Sequence, residues 1–279
     1  IIIDPLSTTA SAREALNLYF ANRPKKPVVA LVYTHSHSDH YGGAKGVASD
    51  ADVKAGRTRV YAPAGFLDAA VSESVIAGNA MGRRAQYQFG APLPRGARGN
   101  VDAGLGKIDS RGEPGRSILA PTHSIVQPVE THTIDGVTIT FHLAPASEAP
   151  AEMHLFFPQL KVLDIAENAT HTLHNLLPLR GTEVRDAKGW SRYLGDALER
   201  FGTNAEVLVA QHHWPVFGHD RVVQQLEQQR DLYKFIHDQT VRMMNQGLAP
   251  TEIAEALKLP ADLEQVWSAR GYYGTLSHD

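Results

Sequence analysis

The segment Thr34-His35-Ser36-His37-Ser38-Asp39-His40-Tyr41-Gly42-Gly43 places four metal-ligating side chains within six positions. His35 and His37 alternate, so an extended backbone sends both toward one point. Asp39 and His40 are adjacent, so a turn or the first turn of a helix aims them at a second point. Neutral imidazoles and a carboxylate suit zinc, and also iron or manganese. A histidine-rich surface loop is the plainer alternative, but a full HxHxDH at the end of an apolar run argues against it. Gly42 and Gly43 let the backbone pass close to another group.

Two metals need roughly six or seven ligands, and the motif supplies four. Glu148, Glu167 and His212 supply the remaining three. Each has a competing explanation. Glu148 shares a proline-bounded loop, Ala144 to Glu152, with Glu152, and one of the two is expected to be merely solvated. Glu167 also suits the cap of a helix starting near Thr170. His212 and His213 are adjacent, and an extended backbone points them to opposite sides, so at most one is a ligand. Asp4 ends the apolar run Ile1–Ile3. It suits a carboxylate that orients a ligand histidine from behind, or a plain Asp-Pro turn.

These residues need strands that end together. Ile1 to Ile3 and Val28 to Tyr33 read as strands flanking a helix over Ser11 to Tyr19 with Ser11 as its cap, a βαβ pattern. Val60 to Pro63 is a further strand. Phe66 to Ser74 and Val75 to Tyr87 read as amphipathic helices, and Ala91 to Pro121 as a long Gly/Pro/Arg-rich flap over the site mouth. Thr133–Ile134 and Val137–Phe141 flank an Asp135-Gly136 hairpin turn. His154–Phe157 and Val162–Ala166 are strands of a second hairpin. A helix over 186–201 precedes the strand Val207–Ala210, which ends at Gln211-His212-His213. One long helix runs from about Asp220 to Asn245, stopped at Gly247, and Pro250 opens a short one. The last sixty residues read as helical throughout.

The chain has 279 residues, 43% hydrophobic and 20% charged, which supports a sizeable core and excludes wholesale disorder. A net charge of −3 with no basic run argues against nucleic acid as the main partner. No apolar stretch is long enough for a bilayer span, so no stable membrane anchor is expected. Cysteine is absent, which removes disulfides, cysteine-zinc sites and thiol nucleophiles together. The opening Ile1-Ile2-Ile3 and the end at Asp279 read as cuts in a longer protein.

The blocks THSHSDHYGG, APASEAPAEMHLF, AENATHTLHNLLPLRG, QHHWPVFG and RDLYKFIHDQTVRMMNQG resemble the metallo-β-lactamase superfamily, and within it the type III alkylsulfatases. The resemblance implies an α+β fold. It would be a metallo-β-lactamase-like αββα sandwich over 1–228, lacking its first strands, then the start of an all-α dimerisation domain over 229–279. It implies two zinc ions: His35, His37 and Glu148 on one, Asp39, His40 and His212 on the other, Glu167 bridging, and Asp4 behind. A glutamate as third ligand is what sets this branch apart from lactamases and glyoxalases.

The activity implied is hydrolysis of alkyl sulfate esters such as dodecyl sulfate, to alcohol and inorganic sulfate, by a metal-bound hydroxide or water. It is a detergent-degrading reaction. Asn175 and Arg180 match the sulfate-binding residues, with Arg185 as an addition; a lone Arg is otherwise a surface salt bridge. His171 and His174, three apart on a short helix, suit leaving-group protonation, support of the ligands, or plain core. His171 takes the supporting reading, and His174 stays open as the catalytic acid. Phe66, Met81, Tyr87, Leu176 and Leu177 suit an apolar channel for the alkyl chain, or plain core. A homodimer and a periplasmic or secreted setting are also implied. Two alternatives stand beside this: another binuclear hydrolase of the fold, acting on a phosphodiester, lactone or thioester, and an inactive piece of such an enzyme.

Overall fold

In a computed structural model, residues 1–106 and 115–279 are described, so part of the expected flap, 107–114, lies outside the described residues. The chain divides into two units. The first comprises Ile1–Asn79, the described part of Arg111–Pro145, and Ala149–Gln159. The second comprises the described part of Ala80–Ser110, Ala146–Glu148 and Leu160–Asp279.

Short apolar strands build the first unit. β1 (Ile2–Ile3), β2 (Ala30–Val32), β3 (Arg59–Pro63) and β4 (His123–Ile125) form a parallel sheet in that order. Ile2 is opposite Leu31, and Leu31 opposite Val60. Leu31 and Val60 are fully buried, as a sheet covered on both faces requires. The helix joining β1 to β2, α1 (Thr9–Asn22), begins earlier than expected. Thr8 rather than Ser11 is its cap: the Thr8 hydroxyl accepts from the Ser11 N–H at 3.2 Å, and the Thr8 N–H donates to Ser11 Oγ at 3.3 Å. That reciprocal pair is a capping box with serine at the third position.

After β2 come α2 (Ser38–Tyr41), α3 (Ala44–Val47) and α4 (Asp50–Lys54). α5 (Phe66–Val71) is shorter than expected, because the chain widens into a π-turn over Ser72–Ile76, with the Ala77 N–H bonded to the Ser72 carbonyl. β5 (Val129–Ile134), β6 (Val137–Leu143) and β7 (Met153–Phe157) form an antiparallel meander. Its first turn has Asp135 and Gly136 both left-handed, at φ 52° and 76°, as the expected Asp-Gly hairpin requires. Phe66 stacks on Tyr33 at 4.9 Å inside the core with Tyr41, so it is core and not channel wall.

The second unit contains α6 (Gly78–Gln88, from Ala80), β8 (Val162–Asp164), α7 (Ala187–Phe201), β9 (Val207–Val209), β10 (Val216–Phe217), α8 (His219–Asn245), α9 (Pro250–Ala256) and α10 (Ala261–Glu264). β9 pairs parallel to β8 and antiparallel to β10. Trp190 of α7 is fully buried, stacks on Tyr233 of α8 at 4.4 Å, and donates its indole N–H to the Asn168 carbonyl at 2.9 Å. No helix forms over 165–186, so the expected short helix under His171 and His174 is absent. Side chains satisfy that backbone instead. Gln225 donates to the Thr170 carbonyl, and Asp279 accepts from the Leu176 N–H at 2.7 Å.

The end of the chain is not helical throughout. Residues 270–279 are irregular and bind 173–177 through Leu173 N–H to the Arg270 carbonyl and Gly274 N–H to the Leu173 carbonyl. Gly274 is required for this approach, since a Cβ there would lie 2.7 Å from the Asn175 backbone. No helix among the described residues is long and apolar enough to cross a membrane.

Candidate metal centre

The imidazoles of the first unit are positioned by β1 and by the turn after β2. Asp4, in a left-handed conformation with φ 47°, ends β1. Its Oδ1 accepts the Thr34 N–H at 2.8 Å, and its Oδ2 accepts the Thr34 hydroxyl at 2.6 Å. Because the hydroxyl's one proton goes to Asp4, Thr34 Oγ1 accepts from His35 Nδ1, 2.9 Å away. His40 Nδ1 likewise donates to Asp4 at 2.9 Å. In their neutral forms both rings thereby carry the proton on Nδ1 and turn an Nε2 lone pair outward, the usual arrangement behind a metal-bound histidine. The rings of His35 and His40 lie 3.9 Å apart, and His37 is 5.1 Å from His35.

The turn that carries them is pinned from two sides. A Cβ on Gly43 would sit 2.0 Å from the Pro5 carbonyl, so the close approach inferred from Gly42-Gly43 is to the backbone after β1. The Ser36 N–H and the Thr34 carbonyl bond residues 151 and 153. Glu152, expected to be solvated if Glu148 is not, is fully buried and accepts the Ala149 N–H at 2.9 Å. Both glutamates of the loop are therefore internal, Glu152 because a loop amide needs an acceptor and Glu148 because it meets the Arg185 guanidinium. Glu73, on the π-turn, has Oε2 3.5 Å from His37 Nε2; no local pattern in the sequence marks it.

Electrostatics at this end favour positive charge on His40. Burial works against charge on His40, yet Asp39 and Asp4 raise its pKa well above the ordinary value. Burial works to raise the Asp4 carboxyl, but His40, His35 and the Thr34 hydrogen bond together outweigh it, leaving the pKa lowered. Asp4, His35 and His40 each offer a donor atom within 4.8 Å of the others.

The second unit carries the carboxylates. Glu148 and Glu167 are buried and approach within 4.8 Å of one another and of His174 through their donor atoms. Glu167 Oε2 is 2.9 Å from His174 Nε2, and its Oε1 is 2.7 Å from His212 Nε2. His212 is not extended, as expected, but left-handed at φ 71°. That turn sends its ring to Glu167 while His213 faces His171, 5.5 Å away. Burial and the neighbouring imidazoles push the His213 pKa down to about 4. Among the described residues, five of the seven left-handed non-glycine residues, Asp4, Leu6, Ala146, Ala166 and His212, are within two positions of, or among, the candidate site residues. Such outliers concentrate where function imposes geometry.

His171 bonds the Trp214 carbonyl at 3.0 Å and stacks on that indole, supporting the His212 turn. Asn175 Nδ2 faces the Tyr273 carbonyl at 3.4 Å. Arg180 Nη1 and Gln88 Nε2 both reach the Tyr273 hydroxyl, at 3.4 and 3.1 Å. Burial raises the Tyr273 pKa, with Arg180 and Arg185 opposing. Tyr273 and Gln88 had no signal in the sequence, each lying more than eighty residues from its partner. Leu176 is buried, whereas Leu177 and Tyr87 are exposed. Imidazoles and carboxylates without thiols are a donor set that fits zinc; His35, His37, His40, Glu148 and Glu167 are buried, whereas Asp39 is half-buried and His212 exposed.

Residues 1–212 match the family model described as the metallo-beta-lactamase superfamily, and 249–279 the one described as alkyl sulfatase dimerisation. The whole chain is 54% identical to 43% of the alkyl/aryl-sulfatase BDS1 of Saccharomyces cerevisiae. It is 51% identical to 41% of a linear primary-alkylsulfatase of a Pseudomonas species. The solved structure of the stereoselective inverting sec-alkylsulfatase Pisa1 of a Pseudomonas species superposes on 99% of the chain with a TM-score of 0.93 at 49% identity, over 43% of its own length. The chain thus spans under half the length of these relatives.

Proposed function

We propose that this chain, which belongs to the metallo-β-lactamase superfamily, is the hydrolytic part of an alkylsulfatase, cleaving alkyl sulfate esters to an alcohol and inorganic sulfate. The expected fold class, the superfamily's α+β sandwich followed by the start of a helical dimerisation region, holds. The observation that carries the proposed activity is the roughly 50% identity, across the whole chain, to proteins described as alkylsulfatases.

In this reading His35, His37 and Glu148 would hold one zinc, Asp39, His40 and His212 the other, and Glu167 would be shared by both. When bound, the two ions would supply Lewis acidity and make water a nucleophile near neutral pH. Asp4 fixes the tautomers of His35 and His40, as its hydrogen bonds support. Asn175 and Arg180 bind the sulfate: a guanidinium matches a tetrahedral anion with paired N–H groups, and the amide adds a neutral donor. Tyr273, at hydrogen-bond distance from Arg180, steadies that guanidinium. The division into a catalytic region over 1–228 and a dimerising region from 229 belongs to the same proposal, as does a homodimer of the full-length protein.

The test is metal content together with alcohol release from dodecyl sulfate. We expect two zinc ions per chain and release of dodecanol. A zinc-loaded protein that leaves alkyl sulfates intact while turning over a phosphodiester would reassign the site to a different hydrolase. In 18O-labelled water, label in the alcohol marks attack at carbon, and label in sulfate marks attack at sulfur.

A further inference from the structure

We propose that Asp279 is a positioning residue for the sulfate group: its carboxylate holds the segment around Asn175 in the conformation that presents the Asn175 amide to the anion. This rests on the sulfate-binding role given above to Asn175 and Arg180. Asp279 acts through Asn175 and not on the substrate.

Residues 173–177 lie outside the helices and extended strands, and residues 270–279 satisfy much of their backbone. Before Asn175, the Leu173 N–H donates to the Arg270 carbonyl at 2.9 Å, and the Gly274 N–H donates to the Leu173 carbonyl at 3.0 Å. After Asn175, Asp279 Oδ1 accepts the Leu176 N–H at 2.7 Å and the Leu177 N–H at 3.2 Å. His278 Nε2 donates to the Leu177 carbonyl at 2.8 Å. Between these anchors Gly274 packs on the Asn175 backbone, where a Cβ would come within 2.7 Å. One carboxylate oxygen thus orients two consecutive peptide groups directly after Asn175, through bonds that its charge strengthens. Burial pushes the Asp279 carboxyl up, and the Leu176 and Leu177 N–H groups oppose it.

Asn175 is buried, and its Nδ2 carries two hydrogens. One faces the Tyr273 carbonyl at 3.4 Å, which leaves the other for an anion. A donor that must first be ordered costs affinity, so an amide held in place by its own backbone binds better. Arg180 is held separately, from α6: its N–H donates to Gln88 Oε1 at 2.8 Å, and its carbonyl accepts from Arg84 Nη1 at 3.2 Å. Loss of Asp279 should therefore weaken the amide and spare the guanidinium. Asn175 and Arg180 fall in the stretch that matches the superfamily model, and Asp279 in the stretch that matches the dimerisation model. The anion cradle so described draws on both family regions.

The experiment measures kcat, KM for dodecyl sulfate and zinc content of the full chain. Asp279→Ala should raise KM about 10-fold, with kcat and zinc content near wild type. Asp279→Asn, whose amide oxygen can accept the same two N–H groups, should restore KM. Asp279→Ala combined with Asn175→Ala should have no higher KM than Asn175→Ala alone, whereas combined with Arg180→Ala the two effects should multiply. An unchanged KM in Asp279→Ala, or multiplied effects in the Asn175 double variant, would overturn the proposal. Should Asp279→Ala fail to fold, amide hydrogen exchange in the wild-type chain decides. The Leu176 and Leu177 amides should be protected, and more so on addition of inorganic sulfate; rapid exchange at both, or no response to sulfate, would overturn it. A wild-type chain that neither hydrolyses dodecyl sulfate nor binds inorganic sulfate would overturn the functional reading and this inference with it. One that does both while Asp279→Ala keeps its KM overturns this inference alone.

Discussion

The imidazole turn of the first unit and the carboxylate loop of the second both hold buried polar side chains at fixed angles, by different means. The turn draws three histidines from six consecutive residues, and its orienting carboxylate, Asp4, comes from the neighbouring parallel strand. Regular structure does most of that positioning. The carboxylate loop, 165–186, has no helix or strand; its backbone is tied by Gln225, Tyr233, Asp279 and Trp190, and its Asn175 side chain by Arg185. The lesson is that a ladder of backbone hydrogen bonds makes a site legible from adjacent residues, whereas a loop held by distant side chains fails when any one of them is lost.

The strongest test of this contrast is Trp190→Ala. It removes a fully buried indole and its bond to Asn168, and should destabilise by about 4 kcal/mol in urea unfolding. Amide exchange should accelerate over 165–186 well before 30–43; equal acceleration in both would break the comparison. Asp4→Ala should give the opposite pattern at about 3 kcal/mol, since it strands the buried Thr34 N–H and hydroxyl and the His40 ring.

A carboxylate anchor away from the site calibrates the effect. Glu130 accepts the Val126 and Gln127 N–H groups at 2.6 and 2.7 Å and meets His132 at 3.1 Å. The bond from Gln127 lowers its pKa most, against burial, and His132 and Val126 add to it. The folded pKa being lower than the unfolded one, the stabilisation is complete above the ordinary value of 4.5 and fades as pH falls through the folded value. Glu130→Ala should cost about 2 kcal/mol at pH 7, and the gap from wild type should close in acid unfolding; a pH-independent gap would remove the charge from the explanation. The smallest effects separate two helix starts. Thr8→Ala, which breaks a capping box, should cost about 1 kcal/mol. Asp186→Ala should cost about 0.5 kcal/mol in thermal unfolding, because Asp186 makes no capping bond and acts only through the helix dipole.

Several features were legible because their causes are local. The HxHxDH spacing, the Asp135-Gly136 turn, the stop of α8 at Gly247 and the demand for a close backbone approach at Gly43 each depend on a few neighbouring residues. Boundaries missed where a neighbour competed, as when Thr8 took the cap expected of Ser11. The carboxylate loop was misread as a helix because residues far along the chain satisfy its backbone, and no short window contains them.

The sequence by itself determined the donor chemistry: imidazole and carboxylate without thiol, next to an amide and arginines suited to an oxyanion. Only the tertiary structure decided which way each donor faces. The left-handed turn at His212 sends that ring to Glu167, Glu152 is buried, and Arg185 reaches Glu148 and His174 at once. The reason is that a side chain's type is a property of one residue, whereas its tautomer, burial and direction depend on partners that only the folded chain brings within 3 Å or so.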